Sequence, residues 1–241
     1  MDCADSTGIP EANSPQDENV LRPLLIHLYA GPIVGIGYNM HFGELITQCN
    51  CKYSNGKGAG PLAGFFVEYP VSKYFSVYGG TIYQDFSATF SIHETRLEYS
   101  SSGEFVNVAF EKKAVTNISY FGIQAMAKWK TGFYASYVSI GPAITFLVSD
   151  HIKETENILT PGFVYNSSKQ PQNVFLDQGI PAKRDVRLSA IAAVGYDYSV
   201  TPRIIIVPEI GFQLPLTSVT TNLNNWNAAA IQFSIFLKFG I

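Results

Sequence analysis

Trp226-Asn-Ala-Ala-Ala-Ile-Gln-Phe-Ser-Ile-Phe-Leu-Lys-Phe-Gly-Ile241 closes the sequence, and its alternation decides the fold. Asn227, Ala229, Ile231, Phe233, Ile235, Leu237, Phe239 and Ile241 share one face, which is apolar from Ala229 onward. Trp226, Ala228, Ala230, Gln232, Ser234, Phe236, Lys238 and Gly240 share the other, which is mostly small or polar. A period of two places successive side chains on opposite faces of a strand. The stretch runs 16 residues, against about 5–6 in an ordinary globular strand. In water such a ladder of Phe, Ile and Leu invites aggregation. Facing lipid, it is what a strand requires.

Working outward from this stretch, the alternation recurs along the chain. Residues 24–42 set Ala30, Pro32, Val34, Ile36, Tyr38, Met40 and Phe42 against Tyr29, Gly31, Gly35, Gly37, Asn39 and His41. Residues 61–69 set Ala63, Phe65, Val67 and Tyr69 outward, with Gly64, Phe66 and Glu68 inward. In residues 74–94 the apolar set Tyr78, Ile82, Phe86, Phe90 and Ile92 is read as outward; Thr81, Tyr83, Asp85, Ser87, Thr89, Ser91 and His93 are read as inward. Further strands are expected over residues 117–129, 133–149, 186–198 and 203–216. That makes eight with the last stretch, a polar tail at 1–22 and a barrel over 23–241. Long connections at 43–60, 95–115, 150–185 and 217–225 fall at one rim; the turns near residues 70–73, 130–132 and 199–202 fall at the other.

Composition agrees. Charged residues are 15% of the 241, against roughly 25% in soluble domains. The net charge of −3 offers no electrostatic basis for nucleic-acid binding. No apolar run approaches the roughly 18–20 residues of a membrane-spanning helix, so a membrane could be crossed only by a closed barrel. The start, Met1-Asp-Cys-Ala-Asp-Ser-Thr-Gly8, lacks the basic region and apolar core of a signal peptide, so an exported form would already have lost its signal.

An even strand number, short turns at one rim and long loops at the other resemble the small eight-stranded outer-membrane β-barrels of Gram-negative bacteria, the OmpA/OmpX-type and PorT-like group. The fold class expected is therefore all-β, an eight-stranded antiparallel up-and-down transmembrane barrel. Within the resemblance, Phe233, Ile235, Leu237, Phe239 and Ile241 look like the C-terminal signal read by the barrel-assembly machinery. That family commonly ends in an aromatic residue, where this chain has Ile241 with Phe239 two positions before it. The resemblance also implies a bacterial outer-membrane location among outer-membrane lipid and lipopolysaccharide, with both termini periplasmic.

Tyr69, Tyr74, Trp129, Tyr134, Tyr196 and Tyr198 cluster beside the short turns, where an interfacial aromatic girdle belongs. Inward positions carry Glu68, Asp85, Lys128, Arg187, Asp197, Arg203, Glu209 and Lys238. An eight-stranded barrel is just wide enough to be filled by its side chains, and buried charges must pair. These eight are expected to form a network that plugs the lumen. Pro32, Pro142 and Pro208 lie within strands and are read as sites of bulges or bends.

Other chemistry is thin. Cys49 and Cys51 share an outer loop, with Cys3 at the opposite rim, and with His41 their spacing does not match a closed zinc site. Ser91 and His93 share a face but have no recognisable third member of a hydrolase site. No cofactor is expected, and no catalytic residue. The function expected is a non-enzymatic outer-membrane barrel with a structural, surface-receptor or adhesion role through its long loops. The alternatives are a narrow channel, a lipid-modifying enzyme using Ser91 and His93, and a soluble lipocalin-like carrier of an apolar ligand. A carrier would need apolar residues inside and charge outside.

Overall fold

The structure is a computed structural model and describes residues 28–47, 51–99, 103–132, 135–165, 169–221 and 225–241. It is built from β1 (Tyr29–Phe42), β2 (Leu45–Ile46), β3 (Lys52–Tyr53), β4 (Gly56–Pro70), β5 (Phe75–Asp85), β6 (Ala88–Tyr99) and β7 (Phe105–Lys130). These are followed by β8 (Ser136–Ile158), β9 (Gln172–Gln178), β10 (Val186–Tyr196), β11 (Tyr198–Thr201), β12 (Ile204–Pro215) and β13 (Asn227–Gly240).

Eight antiparallel pairings run β1–β4, β4–β5, β5–β7, β7–β8, β8–β10, β10–β12, β12–β13 and back from β13 to β1. The last stretch of the sequence closes this ring: Gly240 lies opposite Tyr29, and Asn227 opposite Phe42. Closure leaves no unpaired edge within the barrel wall. It also lets the outward ladder stand exposed, with Val34, Ile36, Phe65, Ile123, Ile140, Ile210 and Phe233 among its members. That belt is the inverse of a soluble carrier's polar exterior.

Above the belt the wall continues upward on one side. β7 has 26 residues, about 85 Å of extended chain at ~3.3 Å per residue. Tilted by roughly 40° it rises about 65 Å, twice the ~30 Å hydrocarbon thickness. Its upper part pairs with β6 on one side and β8 on the other, and β9 adds to the far edge of β8. The outer structure is thus a raised four-stranded sheet in the order β6–β7–β8–β9.

The sequence reading ends strands too early at this rim. Residues 95–115 carry the upper parts of β6 and β7, and 150–185 carry the end of β8 together with β9. The cause in β8 is a bulge. Phe121 faces Phe146 and Tyr120 faces Leu147, but Ser119 faces Ser149, leaving Val148 as the extra residue. One extra residue reverses the parity of every side chain beyond it. The apolar alternation therefore breaks while the strand goes on.

The prolines do the opposite. The register stays constant past Pro32, Pro142 and Pro208, so none of them sits in a bulge. Glycines precede two of them, and a Cβ on Gly31 would lie 1.7 Å from the carbonyl oxygen of Leu237, one on Gly141 1.9 Å from that of Ala125. Only glycine lets the neighbouring backbone come this close.

The core is the lumen. Ile33, Phe66, Tyr78, Ile82, Met126 and Phe236 pack in one apolar layer. Phe86, Phe90, Ile118, Tyr120, Tyr53 and Trp226 belong to a second, nearer the raised sheet. Between them lies an amide layer, in which Gln232 Nε2 donates to Gln84 Oε1 at 2.9 Å and to Gln213 Oε1 at 2.6 Å. Gln213 Nε2 donates in turn to Ser189 Oγ at 2.7 Å. Tyr78, Ile82, Phe86 and Phe90 therefore point inward, reversing the facing expected for residues 74–94. A lumen filled by side chains selects for fit, so apolarity alone does not identify the lipid side.

Candidate functional site

Two groups of polar side chains stand out, one at each end of the lumen. Near the short-turn rim, β4 supplies Glu68, β7 Lys128 and β13 Lys238; Asp197 comes from the residue between β10 and β11. Lys128 Nζ lies 2.9 Å from Asp197 Oδ1 and 3.4 Å from Glu68 Oε1. Lys238 Nζ bonds to Glu68 and lies 3.0 Å from Asp197 Oδ1. Two ammonium groups thus alternate with two carboxylates, and all four side chains are at least 90% shielded. Ser76 Oγ donates to Glu68 Oε1 at 2.7 Å. Glu209 stands beside this square, accepting from Tyr137 Oη at 2.6 Å, while Lys128 lies 3.8 Å above the Tyr137 ring.

Of the eight charges expected in the lumen, five are brought together here: Glu68, Lys128, Asp197, Glu209 and Lys238. Arg187 is fully buried but lies apart, against Phe86 and Tyr120. Asp85 and Arg203 are corrections. Asp85 falls on the outward parity of β5, where its Oδ1 accepts the Ser87 N–H at 2.6 Å at the break before β6. Arg203 is exposed in the turn before β12. The first error follows from taking polarity as a sign of facing inward, the second from running the strand one residue into its turn.

The rim outside is aromatic. Tyr69, Tyr74, Trp129, Tyr196 and Tyr198 are exposed, and Trp129 packs on Phe75 with ring centroids 5.3 Å apart. Tyr134 lies outside the described residues. On β13, Phe233, Ile235 and Phe239 project from the outward face, and Leu237, half-buried, shares it; Ile241, just beyond the strand, is exposed.

At the opposite end, the inner face of the raised sheet holds the second group. Arg96 Nη2 lies 2.6 Å from Glu94 Oε2 and 2.9 Å from Glu156 Oε2, with its guanidinium 4.8 Å above the Phe110 ring. Tyr165 Oη donates to Glu156 Oε1 at 2.5 Å. Lys112 Nζ reaches Glu94 Oε1 at 3.3 Å and Cys51 Sγ at 3.4 Å. The hydrogen bond from Arg96 holds the Glu94 carboxyl below its ordinary range. Burial, then the Glu156 carboxylate, push the Tyr165 phenol well above its own. Arg96, Phe110, Glu156 and Tyr165 border a cleft of about 530 Å³ lined also by Glu98, Tyr99, Val108, Ile158 and Phe163.

None of Arg96, Glu156 or Tyr165 was singled out from sequence, because each lies in a segment read as loop. One signal was present: Val106, Val108 and Phe110 alternate with Asn107 and Ala109, a strand pattern inside 95–115.

Two minor candidates are displaced. Ser91 and His93 lie exposed on the outward face of β6, not in the lumen. Both His41 ring nitrogens are occupied: Nδ1 accepts from Trp226 Nε1 at 3.0 Å, and Nε2 lies 2.8 Å from the Phe86 carbonyl oxygen. Cys49 lies outside the described residues, and among the described residues no three His, Cys, Asp or Glu side chains gather as metal ligands.

No curated protein matches the sequence. Among solved structures, the chain is similar to Ail, the attachment invasion locus protein of Yersinia pestis, in complex with the heparin analogue sucrose octasulfate. That match has 9% identity and a TM-score of 0.36 and covers 88% of this chain and 99% of that one. Neisserial surface protein A matches at 9% identity and a TM-score of 0.36, covering 89% and 97%. The outer membrane protease OmpT of Escherichia coli matches at 11% identity and a TM-score of 0.27, covering 90% and 95%. The family model for the outer membrane protein beta-barrel domain matches residues 16–221, most of the ring and the raised sheet, and the chain belongs to that family of bacterial outer-membrane barrels.

Proposed function

We propose that this outer-membrane barrel is a surface-binding protein, a receptor or adhesion element, that presents the raised sheet to the cell exterior and conducts nothing through its lumen. The carrying observation is the cleft of about 530 Å³ on the inner face of that sheet, where a paired Arg96 and Glu156 sit among aromatic side chains. Directional polar groups set among apolar walls are the usual make-up of a binding site. The closed lumen is supported by the two apolar layers, the amide layer and the charged square stacked along it. In this reading both termini face the periplasm, the girdle at Tyr69, Tyr74, Trp129, Tyr196 and Tyr198 marks the inner interface, and the belt meets lipid and lipopolysaccharide. The barrel-assembly machinery reads the ladder from Phe233 to Ile241. No catalytic role is assigned to any residue.

The test compares bacteria displaying the native chain with bacteria displaying Arg96→Ser/Tyr165→Phe, scored for adhesion to immobilised matrix proteins and glycans. Loss of adhesion, with the compact unboiled band still visible in SDS electrophoresis, supports the reading. Equal binding by both strains, or stepwise single-channel conductance of the purified chain in planar bilayers, overturns it.

A further inference from the structure

Among the described residues, four buried side-chain polar atoms have no hydrogen-bond partner: Asn39 Oδ1, Gln84 Nε2, and Nε and Nη1 of Arg187. All four lie in one stretch of the lumen. Arg187 projects from β10, is 0% exposed, and makes a single hydrogen bond, from Nη2 to the Ala228 carbonyl oxygen at 2.7 Å. Ala230, the next inward residue of β13, lies beside Gly37, and the space a Cβ on Gly37 would fill is bordered by Gln84 Nε2 at 3.3 Å and Asn39 Oδ1 at 3.4 Å.

Arg187 keeps its charge in proteins. Its guanidinium lies 4.4 Å from the Phe86 ring centroid and 5.0 Å from that of Tyr120. Cation–π contact of this kind is favourable when desolvated. Removing an ion from water carries a larger penalty, even after relaxation. Rings therefore offset only part of the cost, and no described carboxylate lies within ion-pair distance. The square at the other end shows how this chain treats buried charge elsewhere, matching two ammonium groups with two carboxylates. The unpartnered atoms here are three donor nitrogens and one acceptor oxygen. A water molecule can accept from the guanidinium but cannot balance its charge. An anion does both, through charge-assisted hydrogen bonds.

We infer that the lumen holds a structural anion site at Arg187, in which a small monovalent anion of the halide class sits in the guanidinium plane against Nε or Nη1. Arg187 is closed off from solvent, so the ion is taken up as the barrel closes. The anion locks the upper aromatic layer to β13 and makes the barrel's stability depend on halide.

The experiment uses the full chain in detergent micelles. Crystals grown in sodium bromide are expected to show an anomalous peak in hydrogen-bond contact with Nε or Nη1 of Arg187; a site holding only water, with no anomalous signal, overturns the inference. In parallel, the temperature at which the compact band is lost is measured in chloride, bromide and bulky gluconate at equal ionic strength. A midpoint that rises with the logarithm of halide concentration is the signature of binding to the folded state, and Arg187→Met should abolish that slope. Identical midpoints in all three salts for the native chain overturn the site. The native salt series and the crystal decide the matter even if Arg187→Met fails to assemble.

Discussion

Lys128 Nζ and Asp197 Oδ1 meet at 2.9 Å inside the barrel although 69 residues separate them in the chain. The contact exists only when β7 and the β10–β11 junction face each other across a closed lumen. Removing one cation leaves two carboxylates sharing a single ammonium in a shielded site. Lys238→Met should therefore destabilise the barrel by about 3–5 kcal/mol, the usual result of breaking a buried pair on one side. Urea titration of the refolded chain in lipid vesicles, read by tryptophan fluorescence, measures it. Adding Glu68→Gln to Lys238→Met should recover part of the loss, because the charge count again balances. A double variant as destabilised as the sum of the two singles would show that the square does not act as a unit.

Gly195 and Tyr137 form a direct cross-strand pair, and the missing side chain is what accommodates the ring. A Cβ at Gly195 would lie 2.4 Å from both Cζ and Oη of Tyr137. The ring is held on its other sides by Glu209 and Lys128 and has little freedom to retreat. Gly195→Ala should cost about 1–3 kcal/mol by overpacking. The same change in a Tyr137→Leu background should be close to neutral, and the comparison is made by the same urea titration. Equal losses in both backgrounds would place the effect in the backbone of β10 instead.

The ring of eight strands was legible because each barrel strand carries a two-residue rhythm over most of its length, as in Ile206, Pro208, Ile210 and Phe212. Side-chain facing was legible only where the lipid side is more apolar than the lumen. In β5 it is not: Tyr78 and Ile82 pack inside, while Thr81 stands exposed outside. Glu68, Lys128, Glu209 and Lys238 could be placed together from their distance to the short turns, since register follows from turn position. The cleft could not. Arg96 and Glu156 are 60 residues apart on strands whose upper parts carry alternating charge, a pattern that also describes a solvated loop. Val148 hid the continuation of β8 by inverting its phase.

Acid should loosen the raised sheet before it touches the barrel. Arg96 holds the Glu94 carboxyl below its ordinary range. The pair therefore contributes fully above the unfolded-state pKa of about 4.3, and its contribution is lost as pH falls through the depressed folded value. Both side chains are 37% exposed, so solvent screening limits the effect, to under about 1 kcal/mol. Hydrogen exchange of the β6–β7 hairpin amides should accelerate, beyond the intrinsic change, as pH falls from about 5 through the depressed Glu94 value. Glu94→Gln should remove that step. An unchanged step in the variant would assign it to another acid.

The bulge at Val148 yields the sharpest test of how the sheet is assembled. Below it Phe146 faces outward opposite Phe121; above it Ser149 faces outward opposite Ser119. Deleting Val148 would join these two segments with the alternation already in phase, so that Ile152, Glu154 and Glu156 keep their inward places. Deleting Ile144 instead would leave the bulge and turn one side of β8 inside out, moving either Val138 and Ile140 or Phe146 to the lumen. A bulge is a local feature, whereas a one-residue slip transfers a whole set of side chains between lipid and lumen. The Val148 deletion should therefore fold into vesicles and show the compact unboiled band, while the Ile144 deletion should not. Failure of both would mean that the bend supplied by the bulge is itself required, directing the upper part of β8 toward β9. Success of both would mean that register in β7–β8 is held by something other than the facing of its side chains.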